Sequence, residues 1–407
     1  MKKTNVVIFN GGRGASTIIK NLISYNHINL TSIVNAYDDG KSTGEIRDFF
    51  KMLGPSDIRK VQKIMIPKNI KDYNSLIKIF DYRFKKNVKR KLLINDLNSF
   101  ANGSKFITKN VTSSNVKIIK NLQKFTGIFL NELSKSESIK SKLFNFNDCS
   151  FMNCIYVGAY FSFNKDLEKA INHISKLFNV KGKVLLNSNV NKKLVAIRED
   201  GKVLASEAQI VELRSNVRLE QIYLLNKYPN SNDFKNINIK KKKEILNRRS
   251  KIINASAQVI KAINQSNIII YAAGTQHSSL LPTYFSKGIS SSIARNKRAM
   301  KIFITNIGAD FENPCYIASE YLKNAYRYLN QSIKKKYKYS ELFSQVFINN
   351  PSQDTKNNYV KYDKDGFTNI NTNLVVKKFE LSNKPGFHNG KKIVDQIFYM
   401  YKKFKIL

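Results

Sequence analysis

The chain alternates short apolar runs with amphipathic segments. Residues 6–9 (VVIF) form a continuous apolar run closed by glycines, the pattern of a strand buried on both faces of a parallel sheet. Residues 18–25 (IIKNLISY) follow with the spacing of a helix. Further strands are predicted at 30–36 (LTSIVNA), at 267–271 (NIIIY) and at 301–305 (KIFIT), the last running into Asn306-Ile307-Gly308-Ala309-Asp310-Phe311-Glu312. Residues 60–148 place apolar side chains at i, i+3 and i+4 in segments such as SLIKIFDYRF and read as a helical insertion or cap within one domain, 1–407. Residues 147–163 read as an apolar helix with Gly158 and Ala159 on one side and Asp148 or Ser150 as its cap. After Gly54-Pro55, Ser56 or Asp57 is expected to cap another helix. Residues 183–212 alternate around Glu199-Asp200-Gly201 and read as a β-hairpin; residues 213–250 are polar and read as a solvated loop or helix face. The tail, 314–407, mixes helical and short extended pieces. The expected fold is α/β, a Rossmann-like three-layer parallel sheet with a helical insertion and a β-hairpin.

Composition narrows the function more by exclusion than by indication. The formal net charge is +41, from 70 Lys and Arg against 29 Asp and Glu. Such a balance suits a polyanion partner. Lys, Asn and Ile are spread along the whole chain, however, and no nucleic-acid-binding motif stands out, so nucleic acid is not expected as the primary partner. No stretch of about 18 uncharged apolar residues is present, so no membrane span is expected. Cys149, Cys154 and Cys315 have no CxxC spacing and are expected as buried free thiols of a cytoplasmic protein.

The candidate chemistry gathers at strand ends. Gly11, Gly12 and Gly14 follow the first strand, and Ser16 and Thr17 open the next helix. A glycine turn at a helix start lets backbone N–H groups approach a phosphate. Gly274, Thr275, His277 and Ser278 form a second turn of the same kind after residues 267–271. Asp38 and Asp39 end the second strand, where open α/β sheets bind ligands. Their oxygens suit Mg²⁺ beside a diphosphate, or contact with an acceptor hydroxyl. Arg47 and Arg59 offer planar forks for phosphate or carboxylate, or else surface ion pairs with Asp48 and Asp57. Asn153 reads either as an amide reaching the crevice or as a satisfied turn residue, and His277 either as a phosphate contact or as a structural histidine. Gly12 to Thr17 also approximates a dinucleotide fingerprint with Asp38 as its ribose acid. The continuation DDGKSTGEIRD, with two acids and an arginine, argues against that reading.

Taken in order, FNGGRGAST, NAYDDGKSTGEIRDFF, GPSDIRK, MNCIYVGAY, REDGKVLASEAQIV, IIIYAAGTQHSSLLPTYFSKGI and FHNGKKIVDQIF resemble the 2-phospho-L-lactate transferase family, which includes a branch of nucleotide-sugar-binding gluconeogenesis or cell-shape factors. The resemblance spans about the whole chain. It implies a Rossmann-like core, a nucleoside-diphosphate-linked small molecule as ligand, and Mg²⁺. By position, Gly11, Gly12, Gly14, Ser16 and Thr17 would cradle phosphates, and Asp38 and Asp39 would meet acceptor or metal. Arg47, Asp57 and Arg59 would shape the crevice, Asn153 would contact the nucleotide, and Gly274, Thr275 and Ser278 would hold a second phosphate edge. It implies a phospho-group transferase, with a non-catalytic UDP-sugar-binding regulator as the alternative; a homodimer is the assembly allowed for. Arg13, Ala272-Ala273 and Met152 depart from the family pattern and mark a divergent member.

Overall fold

The computed structural model describes residues 3–11, 14–104, 116–350 and 359–406. The chain divides into two units, residues 1–35 with 185–407, and residues 36–184.

In the first unit the apolar runs become the strands of a parallel sheet. Strand β1 (Thr4–Phe9) pairs in parallel with β2 (Ile28–Val34), and β3 (Lys183–Leu186) brings the chain back to the same sheet at its edge. The stretch expected to form one hairpin is therefore split. Residues 183–186 join the large sheet, and the turn at Gly201 (φ +78°) instead connects β4 (Lys193–Arg198) to β5 (Val203–Leu204). A third strand, β6 (Leu219–Leu225), pairs antiparallel with β4 from inside the segment read as solvated loop. Its Ile222 to Leu225 are buried, and Tyr223 and Leu225 pack with Val195 and Ile197 into a small core of their own. Strands β7 (Ile268–Tyr271), β8 (Met300–Ile304), β9 (Gln345–Asn349) and β10 (Asn373–Lys377) complete a seven-stranded parallel sheet of order β10-β9-β8-β7-β1-β2-β3. A short ribbon of β11 (Glu380–Leu381) and β12 (Lys384–His388) precedes the closing helix, Gly390–Phe404. The strand order reverses between β1 and β7. From β1 the chain winds toward β2, and from β7 it winds the other way toward β8 and β9. That reversal is the topological switch point of a doubly wound sheet.

Helix α1 (Ser16–Leu22) packs against the closing helix at Gly390. A Cβ there would lie 2.1 Å from the Thr17 carbonyl oxygen, so the backbones touch.

The second unit is helical. It holds α2 (Lys41–Phe50), α3 (Ser56–Ile64), α4 (Tyr73–Asp81), α5 (Arg90–Ala101), α6 (Val116–Lys140), α7 (Phe151–Ser162) and α8 (Leu167–Leu177). The apolar face of α6 meets α7 at Gly158, where a Cβ would lie 1.9 Å from the Phe125 carbonyl oxygen. Neither expected cap of α3 acts as one: Pro55 is its N-cap residue and makes no side-chain cap bond. Ser150 stands at the N-cap of α7 but its hydroxyl makes no capping bond either. Cys149 and Cys154 are buried, while Cys315 is exposed, contrary to expectation for a free thiol. No helix among the described residues is long and apolar enough to cross a membrane.

Candidate functional site

The two glycine corners follow β1 and β7, the strands on either side of the switch point, and they are pressed together. A Cβ on Gly11 would lie 2.2 Å from the Cβ of Ser279. One on Gly14 would lie 2.5 Å from the Ala273 carbonyl oxygen. Only glycine permits this approach. Gly12, with Arg13, lies outside the described residues. Ser16 opens α1, and the Thr17 hydroxyl donates to the carbonyl of His388 at 3.0 Å. Asn10, at the end of β1, donates its amide to the Ser32 hydroxyl on β2.

The second corner is braced from β8. Asn306 holds Gly274 by both backbone groups: its Oδ1 accepts from the Gly274 N–H at 2.9 Å and its Nδ2 donates to the Gly274 carbonyl at 3.1 Å. The next alternate N–H groups also have side-chain acceptors. Gln276 N–H donates to Asp310 Oδ2 at 3.3 Å, and Ser278 N–H donates to Glu312 Oε2 at 3.0 Å. Thr275 is exposed, with its hydroxyl 3.3 Å from that of Ser279, whose carbonyl accepts from the Asn35 amide. His277 is fully buried. Its Nε2 lies 3.5 Å from the Asn324 amide, its ring meets Tyr328 edge-on, and burial, with the Arg327 charge second, lowers its pKa to about 3. The ring therefore stays neutral at ordinary pH. Burial raises the Glu312 carboxyl to about 8, reinforced by the charge of Asp310, which burial also raises. Residues 310–312 were visible only as the end of a strand. A D-x-E sequence at the carboxyl edge, one strand from the switch point, was the available signal.

In the second unit the DDG segment is held from within. The Arg47 guanidinium, 1% exposed, donates Nη1 to the carbonyls of Tyr37 at 2.6 Å and Asp38 at 3.2 Å. Arg59 is buried as well and donates to the Phe80 carbonyl at 2.7 Å. The surface ion pairs considered for them are made by lysines instead: Asp48 pairs with Lys51 and Lys140, and Asp57 with Lys60 at 2.8 Å. Asp38 Oδ1 accepts from the Gly40 N–H at 3.0 Å. Burial raises the Asp38 pKa, and the charges of Asp57 and Asp39 push the same way, against Lys60 and the Gly40 bond. Asp38, Asp39 and Asp57 thus share one electrostatic neighbourhood. Gly44 and Gly54 let α2 and the segment before α3 close on it; a Cβ on Gly44 would lie 2.1 Å from the Asp39 carbonyl. Behind it runs a buried polar seam. Thr43 and Ser56 hydroxyls lie 2.6 Å apart, and the Asn153 amide donates to Ser56 Oγ at 3.3 Å. Asn153 Oδ1 is buried without a partner. Among the described residues no three His, Cys, Asp or Glu side chains form a ready metal-ligand group.

A doubly wound parallel sheet with two glycine corners meeting at its switch point defines a Rossmann-like protein, a class of sheet that takes ligands at the carboxyl edge of its central strands. The chain belongs to the CofD family: the profile described as 2-phospho-L-lactate transferase CofD matches residues 6–380. Its relatives include the gluconeogenesis factor of Bacillus subtilis, 24% identical over 324 residues, covering 79% of this chain and 74% of that one. The gluconeogenesis factor of Halalkalibacterium halodurans is 23% identical over 325 residues, 79% of this chain and 73% of that protein. A Bacillus halodurans crystal structure covers 98% of this chain and 100% of its own at a TM-score of 0.68 and 20% identity, and shares the fold.

Proposed function

We propose that the chain binds a nucleoside-diphosphate-linked small molecule at the switch point and transfers its phosphorus-containing group to a hydroxyl, with the nucleoside monophosphate leaving. The observation that carries this reading is the contact of the two glycine corners. Gly11 presses on the Ser279 side chain and Gly14 on the Ala273 backbone, so neither glycine position leaves room for a side chain of its own at the ends of β1 and β7. Gly11, Gly12, Gly14 and Ser16 take the diphosphate. Thr275 and Ser278 border it, and Asn153, Arg47, Arg59 and Asp57 keep the roles their family positions imply, the two arginines by fixing backbone. Asp38 and Asp39 suit Mg²⁺ in donor chemistry, and the crowding that raises the Asp38 pKa is what a cation beside it would relieve. Bound there, Mg²⁺ would neutralise charge on the transferring group. Asp38 would then contact the acceptor hydroxyl, and the fixed backbone dipoles would stabilise developing charge.

Turnover of guanylated or UDP-linked phospho-donors by the protein and by Asp38→Asn tests this. Activity lost in the variant is expected; equal turnover removes Asp38 from the mechanism. A second reading has its own support. The relatives are named gluconeogenesis factors, and the N–H groups of Gln276 and Ser278 already have carboxylate acceptors. On that reading the chain is a non-catalytic UDP-sugar-binding regulator. UDP-sugars would then raise its melting temperature with no turnover. Mass spectrometry of the nucleotide that co-purifies separates the two.

A further inference from the structure

The loop after β8 carries buried oxygen atoms that the protein itself leaves without partners. Glu312 is 4% exposed and Asn313 fully buried, yet the acceptors Glu312 Oε1 and Asn313 Oδ1 have no hydrogen-bond partner. Asp310 is 6% exposed. The loop is folded tightly: Asn313 N–H donates to the Asp310 carbonyl at 3.1 Å and Glu312 N–H donates to Asp310 Oδ1 at 3.0 Å. The Asn313 amide is turned toward the Asp310 carboxylate and lowers its proton affinity. Asp310 and Glu312 each give one oxygen to the second corner, to Gln276 and Ser278. No Lys or Arg pairs with either carboxylate among the described residues, in a chain with 70 of them.

Two buried carboxylates without a counter-charge are costly to ionise together, and orphaned buried polar atoms call for a missing partner. A water could serve one orphan but would not neutralise the pair, which takes either a proton or a cation. Two carboxylates and an amide oxygen on a four-residue loop are hard donors of the kind that Mg²⁺, Mn²⁺ or Ca²⁺ selects. We propose that Asp310, Glu312 and Asn313 form a divalent-cation site that braces the second glycine corner. Glu312 Oε1 and Asn313 Oδ1, the acceptors now without partners, take the ion with Asp310. The opposite carboxylate oxygens keep their bonds to Gln276 and Ser278, so the ion fixes the corner through its own ligands. The site stands apart in sequence from Asp38 and Asp39 and holds whether or not they bind Mg²⁺.

Tyr321 supplies a reporter, because its hydroxyl is buried beside the same loop and the Asp310 charge opposes its ionisation. Terbium titration of the full chain, excited through tyrosine, is expected to show a saturable site that Mg²⁺ or Mn²⁺ competes for and that persists in Asp38→Asn. Asp310→Asn and Glu312→Gln should weaken it by at least the roughly 10–100-fold that even outer partners of a metal ligand are worth. Asn313→Asp should tighten it, whereas a purely structural Asn313 would be destabilised by a third carboxylate. Melting in EDTA reports folding for each variant, and if the first two fail to fold, Asn313→Asp alone decides. Weaker binding in Asn313→Asp, or unchanged binding in Glu312→Gln, overturns the site. Loss of the signal in Asp38→Asn instead places the cation at that carboxylate, overturning this inference while leaving the proposed function standing.

Discussion

At the residue scale, two kinds of position carry the risk: glycines where backbones touch and titratable groups sealed from water. Gly14→Ala would drive its Cβ into the Ala273 carbonyl, which cannot move without shifting β7. Overpacking of this kind costs about 1–3 kcal/mol, so a lower urea midpoint is expected. Gly11→Ala meets the side chain of Ser279 instead, and Ser279→Gly should restore much of the loss. An additive double variant would show that the two corners do not touch. His388 gives a pH prediction. It is buried, its Nε2 donates to the Thr305 carbonyl at 2.9 Å, and burial lowers its pKa from 6.5 to about 4. The folded state holds this ring neutral while the unfolded chain protonates it near pH 6.5. Its contribution is therefore complete above that pH and falls away as the pH drops through about 4. The total is of the order of 3 kcal/mol. Urea unfolding between pH 7 and pH 4 should show the protein losing stability toward acid relative to His388→Gln, so that its margin over the variant shrinks; a margin constant with pH would reject the assignment.

At the scale of elements, the second unit depends on a close helix pair and a polar seam. Gly158 sets the distance between α6 and α7, so Gly158→Ala must push them apart and is expected to lower the melting temperature. Ser56 is the hub of the seam. Ser56→Ala would strand the Thr43 hydroxyl and the Asn153 amide inside the unit, at about 1–3 kcal/mol for an unsatisfied buried group. Ser56→Thr, which keeps the hydroxyl, should cost less, and a larger loss than in the alanine variant would show that space decides there. The elements also show where the sequence was readable. Strands β1, β2, β7 and β8 are apolar runs that end in glycine, aspartate or asparagine, so their turn chemistry announces them. Strand β6 is hidden because its buried half, Ile222 to Leu225, sits among lysines and asparagines and forms only by pairing with β4. The same tertiary dependence separates β3 from the hairpin it resembles. Site residues divide likewise. The glycines were legible because a tight turn admits little else. Arg47 was legible as a fork but not as one aimed at the carbonyls of Tyr37 and Asp38, since nothing in the spacing tells a ligand from the chain's own backbone. Asp310 and Glu312 were overlooked because their partners lie on another strand's turn.

At the scale of the whole molecule, the excess of 41 positive charges has to be reconciled with the small anionic ligand proposed for the glycine corners. The lysine runs are solvated. Lys240 and Lys241 are exposed on the helix Ile239–Arg249, and Lys334, Lys335 and Lys336 are exposed as well. Charges in water interact across about 8–10 Å at physiological salt and contribute little to any one contact. They raise the local concentration of anions and the rate of their capture. A diphosphate ligand should therefore bind with an association rate that falls steeply between low salt and about 0.5 M, while its dissociation rate, set by backbone N–H groups and buried side chains, changes little. Stopped-flow binding of a fluorescent nucleoside diphosphate separates the two. A single-stranded polyanion should also bind at low salt, release counterions and lose its affinity as salt rises. It should slow nucleotide capture by occupying the field without excluding the nucleotide from the glycine corners at saturation. Strict competition that persists at high salt would mean that the basic surface and the pocket are one site, and the charge would then belong to recognition rather than to delivery.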